Sequence, residues 1–431
     1  MNRPTGLRTL LGNFAAAPDV DGWPEPPAPA AFAGLAGALV EALAPHTEAD
    51  PAAILAQLVV AVGSMIGPGP HYQVGASRHG TNEFVVLVGP SGSGRKGSAW
   101  DMVEAVCARV DPGWATRRVV SGLSSGEGLI WHLRDDAGDT DRRLLVLEAE
   151  FASALKGTAR DTSTLSPVLR NAWDARVLQV LTKHDPARAS GAHVSVIGHI
   201  TADELLRYLS ATERANGFVN RFLLMACRRA QLLPEGGDLD LDALGPLLAR
   251  LADTVALARR QRRLRFDDAA RDIWWGIYPT LSASRPGLSG AVCARAEAHV
   301  VRLAVIYALL DGVGAIGSRH LNSALALWDY AERTVAFVFG DSLGDPVADE
   351  LWRAISATPG GLSRSEVRDL FARNRPRAQI DAALGILQRS GRVTRQLRPG
   401  QGRPAEIWTA CSTMGHQDGG QGHSLKATTP R

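Results

Sequence analysis

The sequence predicts an α/β protein: a parallel sheet flanked by helices, then a helical extension, then a small C-terminal domain of winged-helix pattern. Three observations carry that expectation. Five short apolar runs, at 83–88, 117–121, 143–148, 193–200 and 221–227, alternate with longer helix-like segments, the pattern of strand–helix–strand units. The first run leads into the glycine-rich "GPSGSG" (89–94) and then a helix-like stretch. Beyond residue 345 both the pattern and the charge change.

A chain of 431 residues has room for two or three domains. Residues 1–30 are rich in Pro and Ala and are expected to be a disordered lead-in. Two apolar segments at helical spacing, 31–45 and 50–66, precede the first strand, and together with the strands they define a core over 31–230. Residues 231–345 are helical in pattern, exemplified by "AHVVRLAVIYALLDG", and are expected as a separate subdomain. A winged-helix domain is expected over 346–410 and a disordered tail over 411–431.

With 45% hydrophobic and 21% charged residues, the composition is that of a globular protein with a real core. Four isolated cysteines (Cys107, Cys227, Cys293, Cys411) form no C-x-x-C pair, which argues against a zinc site or a disulfide framework and favours a reducing compartment. The longest apolar run, "AAILAQLVVAVGSMIG", is too short and too interrupted for a membrane span, and no signal peptide stands at the N-terminus. A cytoplasmic protein with no membrane association is expected.

The net charge of +3 hides an asymmetry. Residues 346–410 carry eleven Arg/Lys against six Asp/Glu, and the first 345 residues are slightly acidic. A basic module on such a body suggests contact with a polyanion. Only four of the 47 basic residues are lysine, so each lysine is more informative than an arginine.

The run "VVLVGPSGSGRKGSAW" (85–100) nearly spells the phosphate-binding pattern G-x-x-x-x-G-K-[ST]. Such loops aim consecutive backbone N–H groups and a helix N-terminus at one anion. Gly89, Gly92 and Gly94 supply the glycines, but Arg95, Lys96 and Gly97 separate Gly94 from the hydroxyl of Ser98. Either Arg95 takes the lysine place, or the loop is one residue longer, Lys96 reaches the phosphates, and Ser98 or Ser93 supplies the hydroxyl for magnesium. The rarity of lysine favours the second register.

The third run ends "LLVLEAEF". At this position the additional-strand P-loop ATPases place one acid that meets magnesium through water and a second that polarises the attacking water, roles for Glu148 and Glu150. Glu127, in "SGLSSGEGLI" after the second run, competes with Glu150 as general base. His199, at the end of the fourth run, reads equally as a sensor of the γ-phosphate or as a buried structural histidine. Arg214 and Arg221 are candidate arginine fingers reaching a neighbouring subunit. Arg302 interrupts an apolar helix and needs a partner, either a bound phosphate or an internal carboxylate.

The series "GRKGSAW", "SGLSSGEGLI", "LLVLEAEFASAL", "LSPVLRNAWD", "SVIGHITADEL", "NGFVNRFLLMACRR" and "RLAVIYALLDG…HLNSALALWDYAE" resembles the primase/helicase-like P-loop ATPases of plasmids, phages and integrated elements of GC-rich bacteria. The resemblance spans roughly residues 50–340. It implies an additional-strand P-loop NTPase core, ATP and Mg2+ as substrate and cofactor, and a role in replication of a mobile element. The variant loop of that family also carries "RKG", which implies Lys96, Gly97 and Ser98 as the phosphate-contacting set. A homo-oligomer, such as a hexamer, and a separate primase–polymerase or replication protein are the partners it suggests.

In the C-terminal module, "GGLSRSEVRDLFAR" opens with Ser363 three residues before Glu366, a capping box. Ile380, Leu384 and Leu387 share one face of the next helix. Arg375, Arg377 and Arg389 flank this recognition helix, and Arg392, Arg395, Arg398 and Arg403 line a hairpin, positions suited to DNA phosphates. The leading expectation is a DNA-associated, ATP-hydrolysing enzyme. The alternative is a DNA-binding regulator or adaptor that binds nucleotide with weak hydrolysis or none. A small-molecule kinase fits less well, since no acceptor pocket or lid shows in the sequence.

Overall fold

The computed structural model describes residues 22–136, 138–160, 162–181, 186–285, 287–340, 343, 345–399 and 405–411. The chain divides into two compact units, Met1–Ser342 and Leu343–Arg431.

The first unit is built on five parallel strands: β1 (Phe84–Val88), β2 (Val119–Val120), β3 (Arg143–Glu148), β4 (His193–Ile200) and β5 (Leu223–Ala226). Their order is β2-β3-β4-β1-β5, so β4 lies between β1 and β3. Phe84 pairs with Val196 and Val88 with Ile200 on one side, and Val85 pairs with Leu223 on the other. Every residue of β1, β4 and β5 is buried, which explains their near-continuous apolar runs: a parallel sheet is covered on both faces. Because the strands run one way, the turns leaving β1, β3 and β4 meet at one edge of the sheet.

Helices α1 (Gly34–Leu43) and α2 (Pro51–Ile66) precede the sheet. The Asp50 carboxylate accepts the Ala52 N–H at 2.9 Å and Pro51 occupies the first turn, a strong start signal. α2 is buried on all sides, as an all-round apolar helix must be. α3 (Lys96–Val110) follows β1, and α4 (Gly126–Leu133) follows β2. α5 (Phe151–Thr158) and α6 (Leu165–Trp173) follow β3, and α7 (Ala202–Tyr208) follows β4.

The helices expected to form a separate subdomain instead share the sheet's core. They include α8 (Asp268–Leu281), α9 (Ala296–Leu310) and α10 (Ser318–Phe339). α10 lies on the exit of β5, where the Tyr330 hydroxyl donates to the Ala226 carbonyl at 2.9 Å and the Thr334 hydroxyl accepts the Ala226 N–H at 3.0 Å. Residues 22–30 of the expected lead-in pack against the body, with Trp23 edge-on to Phe337 at 5.0 Å; the remainder of the lead-in and the tail from residue 412 lie outside the described residues. Three short strands that the sequence pattern did not signal, Arg263–Leu264, His71–Val74 and Ser77–His79, form a small second sheet in that order.

The second unit contains α11 (Pro346–Ser356), α12 (Arg364–Leu370) and α13 (Arg377–Arg389) with strands β6 (Leu362–Ser363), β7 (Val393–Arg398) and β8 (Ala405–Ala410). The strands are antiparallel in the order β6-β8-β7. The predicted capping box is present: the Glu366 carboxylate accepts the Ser363 N–H at 2.7 Å and the Ser363 hydroxyl accepts the Glu366 N–H at 3.3 Å. Ile380, Leu384 and Leu387 enter a core with Leu351, Ile355, Val367 and Trp408. Among the described residues, no helix is long and apolar enough to cross a membrane.

Candidate nucleotide site

At the edge where β1, β3 and β4 end, a cavity of ≈ 530 Å³ is lined by Lys96 and Ser98, by Glu150, and by His199, Thr201 and Glu204. Backbone geometry dictates the loop that forms its floor. The Gly89 N–H donates to the Ile200 carbonyl at 3.1 Å, and a Cβ on Gly89 would stand 2.1 Å from the Cys227 carbonyl oxygen. Only glycine passes between β4 and β5 there. The loop closes when the Gly94 N–H reaches the Pro90 carbonyl at 3.1 Å.

Arg95 then adopts a left-handed conformation, φ 49°, and α3 begins at Lys96. Arg95 makes no side-chain cap and the first turn carries no acid, so the N-terminal N–H groups of α3 have no side-chain acceptor of the usual kind. The guanidinium of Arg95 pairs with Glu48 at 2.6 Å. The Lys96 ammonium instead folds back over the loop, donating to the carbonyls of Gly89 at 2.7 Å and Pro90 at 3.0 Å. Burial pushes the Lys96 pKa down, opposed by the carboxylates of Glu150 and Glu204 nearby. Of the two registers open in the sequence, the structure places Lys96 over the loop and turns Arg95 toward Glu48. Gly97 occupies the place after the lysine, and a Cβ there would meet nothing within 4 Å; Ser98, the next hydroxyl along the helix, lines the cavity.

The three candidate acids separate. Glu150 precedes α5, makes no capping bond with its side chain, and lines the cavity. Glu148 is buried, and its carboxylate accepts the Leu123 N–H at 2.6 Å, securing the turn after β2 rather than lining the cavity. Glu127 is exposed in the first turn of α4 and does not line the cavity either. The described residues contain no cluster of three or more His, Cys, Asp or Glu that could hold a metal ion. Mg2+ brought in on phosphates needs only one or two protein groups and water, and Ser98 and Glu150 are among the oxygen-bearing side chains that line the cavity, with Ser91, Thr201 and Glu204.

His199 is a buried histidine in the cavity wall. Its Nε2 donates to the Gln57 side-chain oxygen at 2.9 Å. Burial, assisted by Lys96, pushes its pKa down to about 4, so the ring is neutral near pH 7. Gln57, Thr201 and Glu204 were not singled out from the sequence. Gln57 was signalled as the polar break in the apolar α2 run, and Thr201-x-x-Glu204 as a second capping box, whose Glu204 N–H to Thr201 hydroxyl bond measures 3.2 Å.

The remaining arginines lie elsewhere. Arg302 is buried in α9, where it donates to the Asn82 and Trp173 carbonyls, the latter at 2.7 Å, and stacks on Trp173 with its guanidinium carbon 3.8 Å from the ring centre. Burial pushes its pKa down to about 10, leaving it charged. The nearby carboxylate is Glu83, buried and bonded to His299 Nδ1 at 3.0 Å and Trp173 Nε1 at 3.1 Å. Burial alone would push the Glu83 carboxyl up, but His299 and Arg302 bring it below its ordinary value. The internal partners, not a phosphate at the loop, account for Arg302: Asn82 and Glu83 precede β1, at the opposite end of the sheet from Lys96. Arg221 is buried and paired with Asp174 at 2.8 Å, so it is turned inward rather than outward as a finger. Arg214 is half-buried, with Nε donating to the Ser210 carbonyl at 3.3 Å.

In the second unit, Arg375, Arg377, Arg389, Arg395 and Arg398 are all exposed. Arg377 and Arg395 line a groove of ≈ 680 Å³ between α12, α13 and the β7–β8 hairpin. Asp381 and Glu406 also line it and approach these arginines at 3.6 and 3.5 Å, which tempers the positive field. Arg392 lies 5.4 Å from the Trp352 ring centre, and Arg403 lies outside the described residues.

No protein-family model matches the sequence, and no curated protein matches it.

Proposed function

We propose that this chain is a DNA-associated ATPase with an additional-strand P-loop core and a C-terminal winged helix. The observation that carries the reading is the convergence of Lys96, Glu150 and His199 on one cavity at the ends of β1, β3 and β4, with β4 inserted between the loop strand and the acid strand. Walls of this kind suit a nucleotide triphosphate: uncapped helix N–H groups and an ammonium face one end, and a carboxylate and a neutral imidazole face the other.

Lys96 exchanges its loop carbonyls for phosphate oxygens and offsets charge as the γ-phosphoryl group leaves. Glu150 orients the attacking water and accepts its proton. His199, held by Gln57, touches that water or the γ-phosphate from β4. Ser98 would hold the Mg2+ that accompanies ATP, which would supply positive charge against the developing negative charge on the phosphates. The exposed arginines of α13 and the β7–β8 hairpin contact DNA phosphates, which confers affinity and salt dependence rather than sequence choice. Assembly into a homo-oligomer, and work beside a primase–polymerase, belong to the same reading, with Arg214 the arginine left to act across subunits.

A second reading, a nucleotide-switched DNA-binding adaptor, is favoured by two observations. Gly97 stands where a hydroxyl normally follows the lysine, and Glu148 is tied to Leu123 N–H. Steady-state ATP hydrolysis with Mg2+, with and without single- and double-stranded DNA, separates the two. Turnover stimulated by DNA supports the ATPase; tight ATP binding without turnover supports the adaptor; no interaction with ATP removes both.

A further inference from the structure

Away from the nucleotide site, the first unit carries an aromatic and basic groove of ≈ 650 Å³ between its small second sheet and α8. Along α8, Arg271, Trp274, Trp275 and Tyr278 recur at the i, i+3, i+4, i+7 spacing of one helix face. That spacing usually buries a stripe, yet Trp275 is 68% and Tyr278 44% exposed. The rings are ordered as a series, with Tyr72–Phe266 centroids 4.8 Å apart, Phe266–Trp274 5.4 Å and Trp274–Tyr278 5.4 Å. Trp275 meets no other ring among the described residues.

Charge decides which partner suits this surface. Arg263, Arg265 and Arg271 line the groove and no Asp or Glu does. Arg271 pairs with Asp268 at 2.6 Å, whereas Arg263 and Arg265 form no ion pair among the described residues. A protein partner would have to bring acidic groups and a matching apolar face. A single strand of nucleic acid brings phosphates and unstacked bases together, while a duplex keeps its base faces hidden.

We infer that this groove binds single-stranded DNA, with bases stacked on Trp275 and Tyr278 and phosphates held by Arg263, Arg265 and Arg271. The inference rests on the DNA-associated part of the reading above and is independent of hydrolysis. It places a single-strand contact on the body of the molecule, separate from the arginines of the second unit.

The test uses the full chain without nucleotide and a fluorescently labelled oligo(dT), titrated at two salt concentrations. Trp275→Ala/Tyr278→Ala is expected to weaken binding about tenfold or more, the scale of losing base–aromatic stacking. Trp275→Phe, which keeps a stacking face, is expected to retain most of it. Arg263→Gln/Arg265→Gln is expected to weaken binding and flatten its salt dependence. Basal ATP turnover without DNA should stay at the wild-type level in all three, because none of these residues lines the Lys96 cavity. The substituted side chains are exposed, and unchanged melting curves confirm that the variants fold.

Wild-type oligo(dT) binding by both double variants overturns the proposal, as does a change in sedimentation with DNA binding intact, which marks the surface as a contact between copies. If only Arg375→Gln/Arg377→Gln loses binding, the groove proposal falls and the DNA-associated reading stands. If the wild type binds no DNA of any kind, both fall.

Discussion

The Lys96 ammonium lies 2.7 Å from the carbonyl oxygen of Gly89, seven residues earlier in the chain. The loop therefore stores its cation on its own backbone, at the mouth of an uncapped helix N-terminus. On the proposed reading, an arriving phosphate would replace neutral acceptors by charged ones and would have only to draw the ammonium away from two carbonyls. A charge-assisted bond is roughly twice as strong as a neutral one, so the exchange favours the bound state.

Arg95 also lines the cavity, but its guanidinium is paired with Glu48 at 2.6 Å rather than folded over the loop. Arg95→Gly should keep ATP affinity within a few-fold of wild type. Two small effects on stability oppose each other: loss of a partly exposed ion pair costs up to about 1 kcal/mol, and removing a side chain from the left-handed region recovers about 1–2 kcal/mol. Titration with a fluorescent ATP analogue and a melting curve check both parts.

Glu150 is the only one of the three candidate acids that lines the Lys96 cavity. Glu150→Gln should lower turnover about a hundredfold or more, the scale of a lost general base, while leaving ATP binding in place. Glu127→Gln should change turnover little. Glu148→Gln should act on stability, by weakening the bond to Leu123 N–H, more than on the chemical step. Comparison of kcat with ATP affinity for each variant distinguishes these outcomes.

Gln57 and His199 form a buried pair across α2 and β4. Gln57→Leu leaves the His199 Nε2–H without its acceptor and should cost about 1–3 kcal/mol, read by chemical denaturation.

The depressed histidines also set a pH window. Burial pushes His193 and His199 down to about 4 from 6.5, so the unfolded chain takes up protons before the native one does. Their contribution to stability is complete above pH 6.5 and is lost as pH falls toward 4, by roughly 3 kcal/mol at most for each. Melting temperatures across that range should drop steeply, and His199→Asn should flatten the slope.

Arg302 and Glu83 stabilise the opposite end of the sheet. Removing either partner alone leaves a buried charge exposed to loss of compensation and should cost about 3–5 kcal/mol. Arg302→Met with Glu83→Gln should cost less than the sum of the single changes, as coupled sites do. ATP affinity, measured below the melting transition, should be unaffected.

Much of the first unit could be read from the sequence because parallel strands buried on both faces are continuous apolar runs, as in Phe84–Val88 and Leu223–Ala226. Strands such as Arg263–Leu264 and Ser77–His79 are short and largely polar, so they show neither an apolar run nor a period. The location of the loop and of Glu150 and His199 followed from their positions at strand ends. The distinction between Glu148 and Glu150 did not, since residues two apart differ only in what surrounds them. Arg302 and Arg221 read as isolated charges because their partners, Asn82 and Trp173 for one and Asp174 for the other, are remote in sequence. The separate helical subdomain failed for a similar reason: helical periodicity shows that a face is apolar, not which element covers it.

The central claim is that Lys96 serves a nucleotide at this cavity. Its most direct test is ATP binding by the full chain in the presence of Mg2+, wild type beside Lys96→Ala. The account predicts saturable binding by the wild type and a loss of at least about tenfold in the variant, with its melting curve preserved; a charged hydrogen bond of about 1.5–3 kcal/mol sets that scale. Equal affinity in the two proteins would contradict it, leaving Lys96 as a brace for its own loop.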